Sequence, residues 1–165
     1  MMSVETGASP RTTGRGLTYV ELLVALAVIL VLASAIIPLS RWNEKRRREV
    51  WLRSSLVTMR SAIDLYHDYA KKGLIIQEDV EQMFYPPSLE DLVEGVDVGD
   101  PDSPETTHIQ FLREVPVDPF TGEAEWGMRS YQDDFDSDSW GRENLYDVYS
   151  LSTMEALDGT YYNEW

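Results

Sequence analysis

The sequence of 165 residues contains no cysteine, which excludes disulfide bridges, thiolate zinc sites and cysteine nucleophiles. Basic residues are also scarce, because 14 Lys and Arg stand against 29 Asp and Glu and the formal net charge is −15. Nucleic-acid binding needs a basic face that neutralises phosphates. We therefore expect a chain that does not bind nucleic acid.

Signals of catalysis are missing as well. The chain has two histidines, His67 and His108, and neither has a local neighbour at a metal-ligand or triad spacing. There is no glycine-rich phosphate loop of the known pattern. Carboxylate pairs could act as acid and base, but no pattern directs them to a cleft. We expect the protein not to be an enzyme.

The charge is distributed unevenly along the chain. Residues 1–16 are polar and predict a flexible leader, whereas residues 22–39 carry no charge, and residues 41–53 are densely basic. A bilayer-spanning helix needs about 17 to 25 apolar residues, whereas a signal peptide has about 7 to 15 followed by a small-residue cleavage site. No such site follows here, so the pattern predicts a retained membrane helix over residues 17–40.

A second helical pattern follows over residues 41–72. Apolar residues recur there at spacings of three and four, which is typical of an amphipathic helix. They are Leu52, Leu56, Met59, Ile63, Tyr66 and Ala70. The opposite face carries polar residues, namely Arg53, Arg60, Asp64 and His67. Gly73 supplies the expected helix end.

Residues 73–165 predict a globular domain of short elements. Ser88 is placed to cap a short helix that Gly95 closes, and residues 97–107 predict an exposed loop. Residues 126–131 and 145–151 predict strands. The predicted fold class is therefore α+β, with a long amino-terminal helix packed on a small antiparallel β-sheet.

Glu21 lies near the start of the apolar helix, where a charge is costly to insert. It could lie at the headgroup level, or it could meet a cation inside an assembly. The orientation of the helix is also open on charge alone. Arg11 and Arg15 precede the helix and more basic residues follow it, so the positive-inside rule would place the carboxy-terminal side in the cytoplasm.

The residues around Glu21 form a known pattern. Residues 14–22, GRGLTYVEL, resemble the class III signal of type IV pilins and type II secretion pseudopilins. The resemblance implies that a prepilin peptidase cuts between Gly16 and Leu17 and methylates the new amino terminus. It also implies that Glu21 is the assembly glutamate at the fifth mature position. Pro38 matches the family's helix proline. Leu17 stands where Phe is commonest, and the spacing is intact.

Later segments resemble the major, G-type pseudopilin. They are residues 85–88 (YPPS), 115–122 (VPVDPFTG), 147–150 (DVYS) and 157–160 (LDGT). The resemblance implies a type IV pilin-like fold and a structural subunit of the type II secretion pseudopilus. Its partners would be the prepilin peptidase, other copies of itself, minor pseudopilins and the inner-membrane assembly platform. A type IV pilus or competence-type pilin, or a membrane-anchored calcium-binding domain that does not polymerise, is the alternative.

The resemblance also implies a location. The precursor would lie in the bacterial inner membrane as a single-pass protein, with the leader cytoplasmic and the domain periplasmic, before it enters a periplasmic filament. The basic cluster at residues 45–48 would then be a solvated helix face, or it would pair with the acidic domain of a neighbouring subunit.

Calcium is a further implication, because G-type pseudopilins hold this ion near the carboxy terminus. Calcium takes six to eight oxygen ligands. One candidate set is Asp134, Asp136 and Asp138 together with Asp133, and the other is Asp147, Ser150 and Asp158. The first set lacks the glycine and glutamate of an EF-hand, and the second lacks the family's run of consecutive aspartates. An acidic solvated loop is the alternative for both.

Overall fold

The computed structural model describes residue 16 and residues 18–77, 80–99 and 105–165, with the backbone alone for residues 34–41. The chain divides into two compact units, Met1–Trp42 and Asn43–Trp165, and each is described by itself. Helix α1, Tyr19–Lys71, contributes residues to both units.

In the first unit, the described side chains from residue 18 to residue 33 are exposed. Residues 34–39, which complete the predicted apolar run, lie outside the described side chains. Within the part of the chain that the structure describes, no helix has both the length and the apolar character needed to cross a membrane.

In the second unit, α1 buries the predicted apolar stripe. The six predicted residues are all buried, with Leu52 and Met59 at 0% exposure. The helix ends at Lys71, and Gly73 adopts a φ of 73°, a left-handed conformation that glycine tolerates best. Its amide donates to the carbonyl oxygen of Ala70 at 2.9 Å. The predicted amphipathic helix and its end are confirmed.

A short helix, α2, covers Leu89–Glu94 as predicted. The Ser88 hydroxyl accepts a hydrogen bond from the amide of Asp91 at 3.3 Å, which satisfies one of the free amides of the first turn. Leu89 and Leu92 are buried in the domain core. The cap therefore determines where the helix begins, and its apolar side determines how it packs.

In the part of the chain that the structure describes, four short strands form two separate antiparallel pairs. Strand β1, Val96–Gly99, pairs with β2, Thr106–Ile109, and β3, Gly127–Arg129, pairs with β4, Asp147–Tyr149. The predicted strands at residues 126–131 and 145–151 contain β3 and β4, so these two predictions are confirmed. The single predicted sheet is instead a pair of two-stranded sheets.

The predicted loop at residues 97–107 is wrong at both of its ends, where β1 and β2 lie. Its acidic and proline-rich composition indicates a turn. Val96 and Val98 nevertheless alternate with Asp97, and Val98 is buried in the core as a strand residue would be. The middle of the predicted loop, residues 100–104, lies outside the described residues.

One hydrophobic core joins these elements. It includes the apolar stripe of α1, Leu92 of α2, Val98 of β1 and Val148 of β4. The second unit is thus an α+β domain in which a long helix packs on a small pair of antiparallel sheets. Burial of this stripe stabilises the helix, since most helical stability in proteins comes from tertiary packing.

Candidate functional site

The predicted processing site begins at Gly16. This glycine is exposed, and apart from its two chain neighbours no heavy atom of the described residues lies within 4 Å of the position that a Cβ would take. An open backbone without a side chain is what a protease cleft requires for close approach. Leu17, the other side of the predicted scissile bond, lies outside the described residues.

The predicted assembly glutamate, Glu21, lies in the first turn of α1. Its amide donates to the Thr18 hydroxyl at 3.3 Å, and the amide of Leu22 donates to the Thr18 carbonyl oxygen at 3.0 Å. Thr18 therefore acts as the helix cap. A carboxylate in the first turn is also favoured by the helix dipole. The cap and the dipole hold Glu21 at the start of the helix with its side chain exposed.

Pro38 lies inside α1, where the backbone remains helical. Its side chain lies outside the described residues. A proline at this position has no amide to donate to the preceding turn, which locally weakens the helix.

The first candidate calcium set lies on the loop between β3 and β4. The Asp133 carboxylate accepts hydrogen bonds from the amides of Ser130 and Gly141 at 2.7 and 3.1 Å and so closes this loop. The carboxylates of Asp134, Asp136 and Asp138 are exposed, and Phe135 between the first two is 88% exposed. This arrangement is that of a solvated turn.

The second candidate set, Asp147, Ser150 and Asp158, is engaged by protein groups. The Arg60 guanidinium binds both carboxylate oxygens of Asp147, at 2.6 and 3.3 Å. The Ser150 hydroxyl donates to the buried Asp118 carboxylate. Asp158 accepts from the amide and hydroxyl of Thr160 at 3.1 and 2.7 Å.

These partners do not fit a calcium site. Arg60 beside Asp147, and Arg53 at 3.4 Å from Asp158, place positive charge where a second cation would have to bind. Across residues 16, 18–77, 80–99 and 105–165, no three His, Asp or Glu side chains are arranged to hold a metal ion. Calcium binding stays a prediction of the sequence.

Comparisons of this chain with protein-family models, with curated proteins and with solved structures found no match. The functional argument therefore rests on the residues themselves.

The carboxy-terminal segment, residues 151–165, is fastened to α1 by four charged side chains. We call these side chains the clamp: Lys45, Glu49, Arg53 and Arg60. Lys45 donates to the carbonyl oxygen of Glu155 at 2.6 Å. A single oxygen of Glu49 accepts from the amide of Leu157 at 2.7 Å and from the Tyr162 hydroxyl at 3.0 Å.

The two arginines complete the clamp. The Arg53 guanidinium lies 4.2 Å from the centre of the Trp165 ring, a cation–π contact. Arg60 donates to the main-chain oxygen of Trp165 at 2.8 Å and to the carbonyl oxygen of Val148 at 2.9 Å. Lys45, Glu49 and Arg53 are four residues apart and share one helix face. One face of α1 thus closes the domain with the chain's own atoms.

The electrostatics of the clamp centre on Tyr162, which is fully buried. Burial raises the pKa of the Tyr162 hydroxyl, and its hydrogen bond to the Glu49 carboxylate raises it further. The phenol therefore stays protonated and donates its hydrogen to Glu49. Phe120 stacks on the same ring at a centroid distance of 3.9 Å, and Trp165 contacts it edge to face at 5.1 Å.

Sequence reasoning missed two groups that organise the domain. Glu49 lies within a run of arginines and has no local signal that separates it from a solvated charge. In the sequence, Asp118 stands only within the segment 115–122 that resembles the G-type pseudopilin, and no signal marks it as buried. It is fully buried, accepts from the amide of Phe120 at 2.7 Å and binds Ser150 at the end of β4. The roles of Glu49 and Asp118 become visible only from their contacts with residues that are distant in the sequence.

The two histidines differ in their surroundings. His108 on β2 contacts the Asp97 carboxylate at 3.0 Å and the Glu94 carbonyl oxygen at 2.9 Å, and these hydrogen bonds raise its pKa above the ordinary 6.5. His67 on α1 stacks on Tyr85 at a centroid distance of 4.0 Å. Burial and then the charge of Lys71 lower the pKa of His67.

We expect His108 to titrate at a higher pH than His67 in an NMR titration of the two imidazoles. The raised pKa of His108 adds stability below about pH 6.5, which is lost as the pH rises through its folded value. The lowered pKa of His67 adds stability above about pH 6.5, which is lost as the pH falls. Asp97→Asn should lower the His108 midpoint and leave the His67 midpoint unchanged. Equal midpoints in the unmodified chain would contradict this assignment.

Removal of calcium tests the metal prediction. Because protein groups already bind Asp147, Ser150 and Asp158, we expect EDTA to shift the melting temperature by less than about 2 °C. Calorimetric titration of the chelated protein with calcium should give no heat above that of dilution. Heat that disappears in Asp136→Asn or in Asp158→Asn would restore calcium at the corresponding set.

Proposed function

We propose that this chain is a structural subunit of a type II secretion pseudopilus with a type IV pilin-like fold. The observation that carries the proposal is the order of features at the start of α1. An exposed Gly16 is followed by the Thr18 cap, by Glu21 in the first turn and by a helix that extends to Lys71. Gly16 would give the peptidase access to the backbone. Glu21 would form the buried ion pair of the filament, and the long helix would pack laterally against other subunits.

In the proposed filament, the subunit has a structural role and carries out no chemistry of its own. The precursor lies in the bacterial inner membrane with its leader in the cytoplasm and its domain in the periplasm. Prepilin peptidase removes residues 1–16 and leaves an ammonium group on Leu17. In the filament, the Glu21 carboxylate of one subunit pairs with this ammonium on the next, and growth of the filament pushes folded proteins outward.

The ion pair selects the register of assembly. Two opposite charges inside an apolar bundle are tolerated only when both are met, and removal of one partner typically costs about 3–5 kcal/mol. A subunit that enters out of register leaves both groups unpaired. Correct stacking is therefore favoured without any other recognition element at this position.

Processing tests the proposal directly. The full chain, expressed with and without a prepilin peptidase, should migrate as a species shorter by residues 1–16 only when the active peptidase is present. Amino-terminal mass analysis should find a methylated Leu17. Gly16→Val should block the conversion, because a branched side chain obstructs the cleft, whereas Gly14→Val serves as the control. Unchanged migration of the unmodified chain with an active peptidase would reject the proposal.

The type IV or competence-type pilin uses the same processing and assembly chemistry. The resemblance of residues 85–88 and 115–122 to the G-type pseudopilin favours the secretion filament. Deletion of the gene separates the two. Loss of exported proteins from the medium supports the secretion filament, and loss of surface pili, motility or DNA uptake supports the pilin.

A further inference from the structure

Two members of the basic cluster at residues 45–48 carry charges that the domain does not use. Lys45 and Arg48 contact oxygen atoms of their own chain at 2.6 and 3.1 Å. Arg46 and Arg47 are exposed, and neither forms a side-chain hydrogen bond or an ion pair with any described residue. Two adjacent guanidinium groups are therefore available to a ligand outside the subunit.

The cluster lies close to the uncharged run of residues 22–39 in the sequence. Arg46 follows the end of this run by seven residues, and Trp42 stands between them with 65% of its surface exposed. Tryptophan is enriched at the boundary between membrane and water, because its ring is apolar and its N–H group is polar. Arginine near the end of a membrane helix extends its charged end to the headgroups. This order of residues is typical of a helix segment that leaves a membrane.

The arginine side chain indicates the chemistry of the ligand. Its planar guanidinium group offers N–H donors in a fork that matches two oxygens of one phosphate group. Phospholipid headgroups present such phosphate groups at the edge of the hydrocarbon core. An anionic phospholipid also has a net negative charge, which a zwitterionic phospholipid lacks. The ligand that fits both features of the cluster, its fork and its charge, is an anionic phospholipid.

The distribution of charge along the chain concentrates this attraction at the cluster. The whole chain has a formal net charge of −15, so most of the domain is repelled by an anionic surface. Residues 45–48 are all basic. Attraction of a basic side chain to an anionic membrane falls off within a Debye length of about 8 to 10 Å. Basic residues that follow a membrane helix closely therefore contribute most of the attraction.

We propose that Arg46 and Arg47 bind the phosphate groups of anionic phospholipids at the membrane surface from which the domain projects. This inference rests on the proposed function for the membrane location of the chain. The contact holds the unassembled subunit beside anionic lipids. Entry into the filament then requires that both arginines exchange their lipid ligands for other partners or for water.

The same contact explains why basic residues lie on this side of the membrane. The positive-inside rule places basic residues on the cytoplasmic side. In the proposed orientation the domain is periplasmic, so the basic cluster lies on the opposite side. Anionic lipids in the periplasmic leaflet give the two arginines a ligand there, which the rule does not consider.

Quenching of tryptophan fluorescence by brominated lipids tests the contact. The full chain is reconstituted, without the assembly platform and at a low ratio of protein to lipid, so that subunits are far apart. The vesicles contain phosphatidylcholine and phosphatidylglycerol, and one of the two lipids carries bromine on its acyl chain. Bromine quenches tryptophan only at short range, so Trp42 reports which lipid is enriched beside the cluster. Comparison of the two labelled lipids gives their relative binding constant.

We expect phosphatidylglycerol to bind about fivefold more tightly than phosphatidylcholine at low ionic strength, and this preference should decrease as salt is added. Arg46→Gln with Arg47→Gln should lower the preference to less than about twofold, because two attractive charges are lost. Arg46→Lys with Arg47→Lys keeps the charge and should retain more than half of the preference, although the fork is lost.

The matched control is Lys71→Gln with Lys72→Gln. It removes the same charge at the far end of α1, about 38 Å from Arg46 along the helix axis, and should leave the lipid preference unchanged. An equal loss of preference from this control would overturn the proposal, because it would show that only the net charge matters. The proposal would also fail if Arg46→Gln with Arg47→Gln kept the full preference.

The acidic domain of a neighbouring subunit is the competing partner for these arginines. If Arg46→Gln with Arg47→Gln keeps the lipid preference but lowers filament yield in the presence of the assembly platform, that domain is the partner and the lipid assignment is wrong. The vesicle measurement alone contains no neighbour in contact, so a loss of preference there belongs to the lipid.

Extraction of the same vesicles with alkaline carbonate separates this inference from the function on which it rests. If the unmodified chain is extracted, it has no membrane helix, and the proposed function and the lipid contact fail together. If the chain stays in the membrane and is cleaved by the peptidase but shows no preference for phosphatidylglycerol, the lipid contact is wrong and the filament function stands.

Discussion

Glu21→Ala is expected to leave cleavage after Gly16 intact and to abolish filament assembly. The peptidase site needs the open backbone at Gly16, which lies before the helix and does not depend on the glutamate side chain. Assembly would bury the Leu17 ammonium without its counter-charge, at a cost of about 3–5 kcal/mol per subunit. Because this cost is repeated at every added subunit, filament yield should fall below detection. Gel migration reports the cleavage, and sedimentation with electron microscopy reports the assembly.

Conservative variants distinguish charge from shape. Glu21→Gln keeps the length of the side chain and should fail like the alanine variant, whereas Glu21→Asp keeps the charge and should assemble in part. Glu44→Gln is the matched control, because Glu44 is an exposed residue of α1 whose carboxylate binds Arg48. Wild-type amounts of filament from Glu21→Ala would disprove the ion-pair mechanism.

The second large effect is expected at the clamp. Glu49→Ala should lower the free energy of unfolding by about 3 kcal/mol, because a carboxylate that accepts two hydrogen bonds is lost and the buried Tyr162 hydroxyl is left without its acceptor. Urea denaturation of the purified chain in detergent, followed by tryptophan fluorescence, measures this change. Trp165 contacts Arg53 of the clamp and so reports its opening.

Two further variants show whether the effect belongs to the hydrogen bonds. Glu49→Gln retains an acceptor oxygen and should cost less than half as much as the alanine change. Glu44→Ala removes a glutamate one turn earlier, whose exposed pair with Arg48 is worth about 0.5 kcal/mol or less. Equal losses from Glu49→Ala and Glu44→Ala would mean that the clamp does not stabilise the domain.

The parts of the fold that sequence reasoning predicted correctly carry their signal locally. The buried stripe of α1 has a helical period, and the start of α2 is specified by Ser88, whose hydroxyl accepts from an amide three residues on. Strands β1 and β2 escaped prediction because each has only four residues and the segment between them is rich in aspartate and proline. The aspartate and proline content of this segment predicts a loop more strongly than an alternation of four residues predicts a strand.

The residues of the candidate site also divide into those with a local sequence signal and those whose partners are distant in the chain. Gly16, Thr18 and Glu21 are within six residues of one another, so their pattern is visible in the sequence. The partners of the polar residues of α1 are not visible in the sequence, because they are distant in the chain. Arg60 binds Asp147, and Glu49 binds Tyr162. A charge on an amphipathic helix predicts a solvated face, and only the tertiary fold shows that Arg60 is half-buried in an ion pair. The local sequence likewise does not show that Arg60 lies beside Asp147 and Arg53 beside Asp158 in the second candidate calcium set.

The clamp also has a consequence for the order of folding. Its contacts with the carboxy-terminal segment join residues that are 105 to 113 positions apart in the chain. The entropy of closing so long a loop must be lost before these contacts contribute, so chains with such distant contacts fold slowly. Residues 43–71 of α1 can form helical turns early, but they gain their last partners only after the carboxy-terminal segment has been synthesised. Until then, Glu49 and the arginines around it are accessible to folding helpers and to proteases.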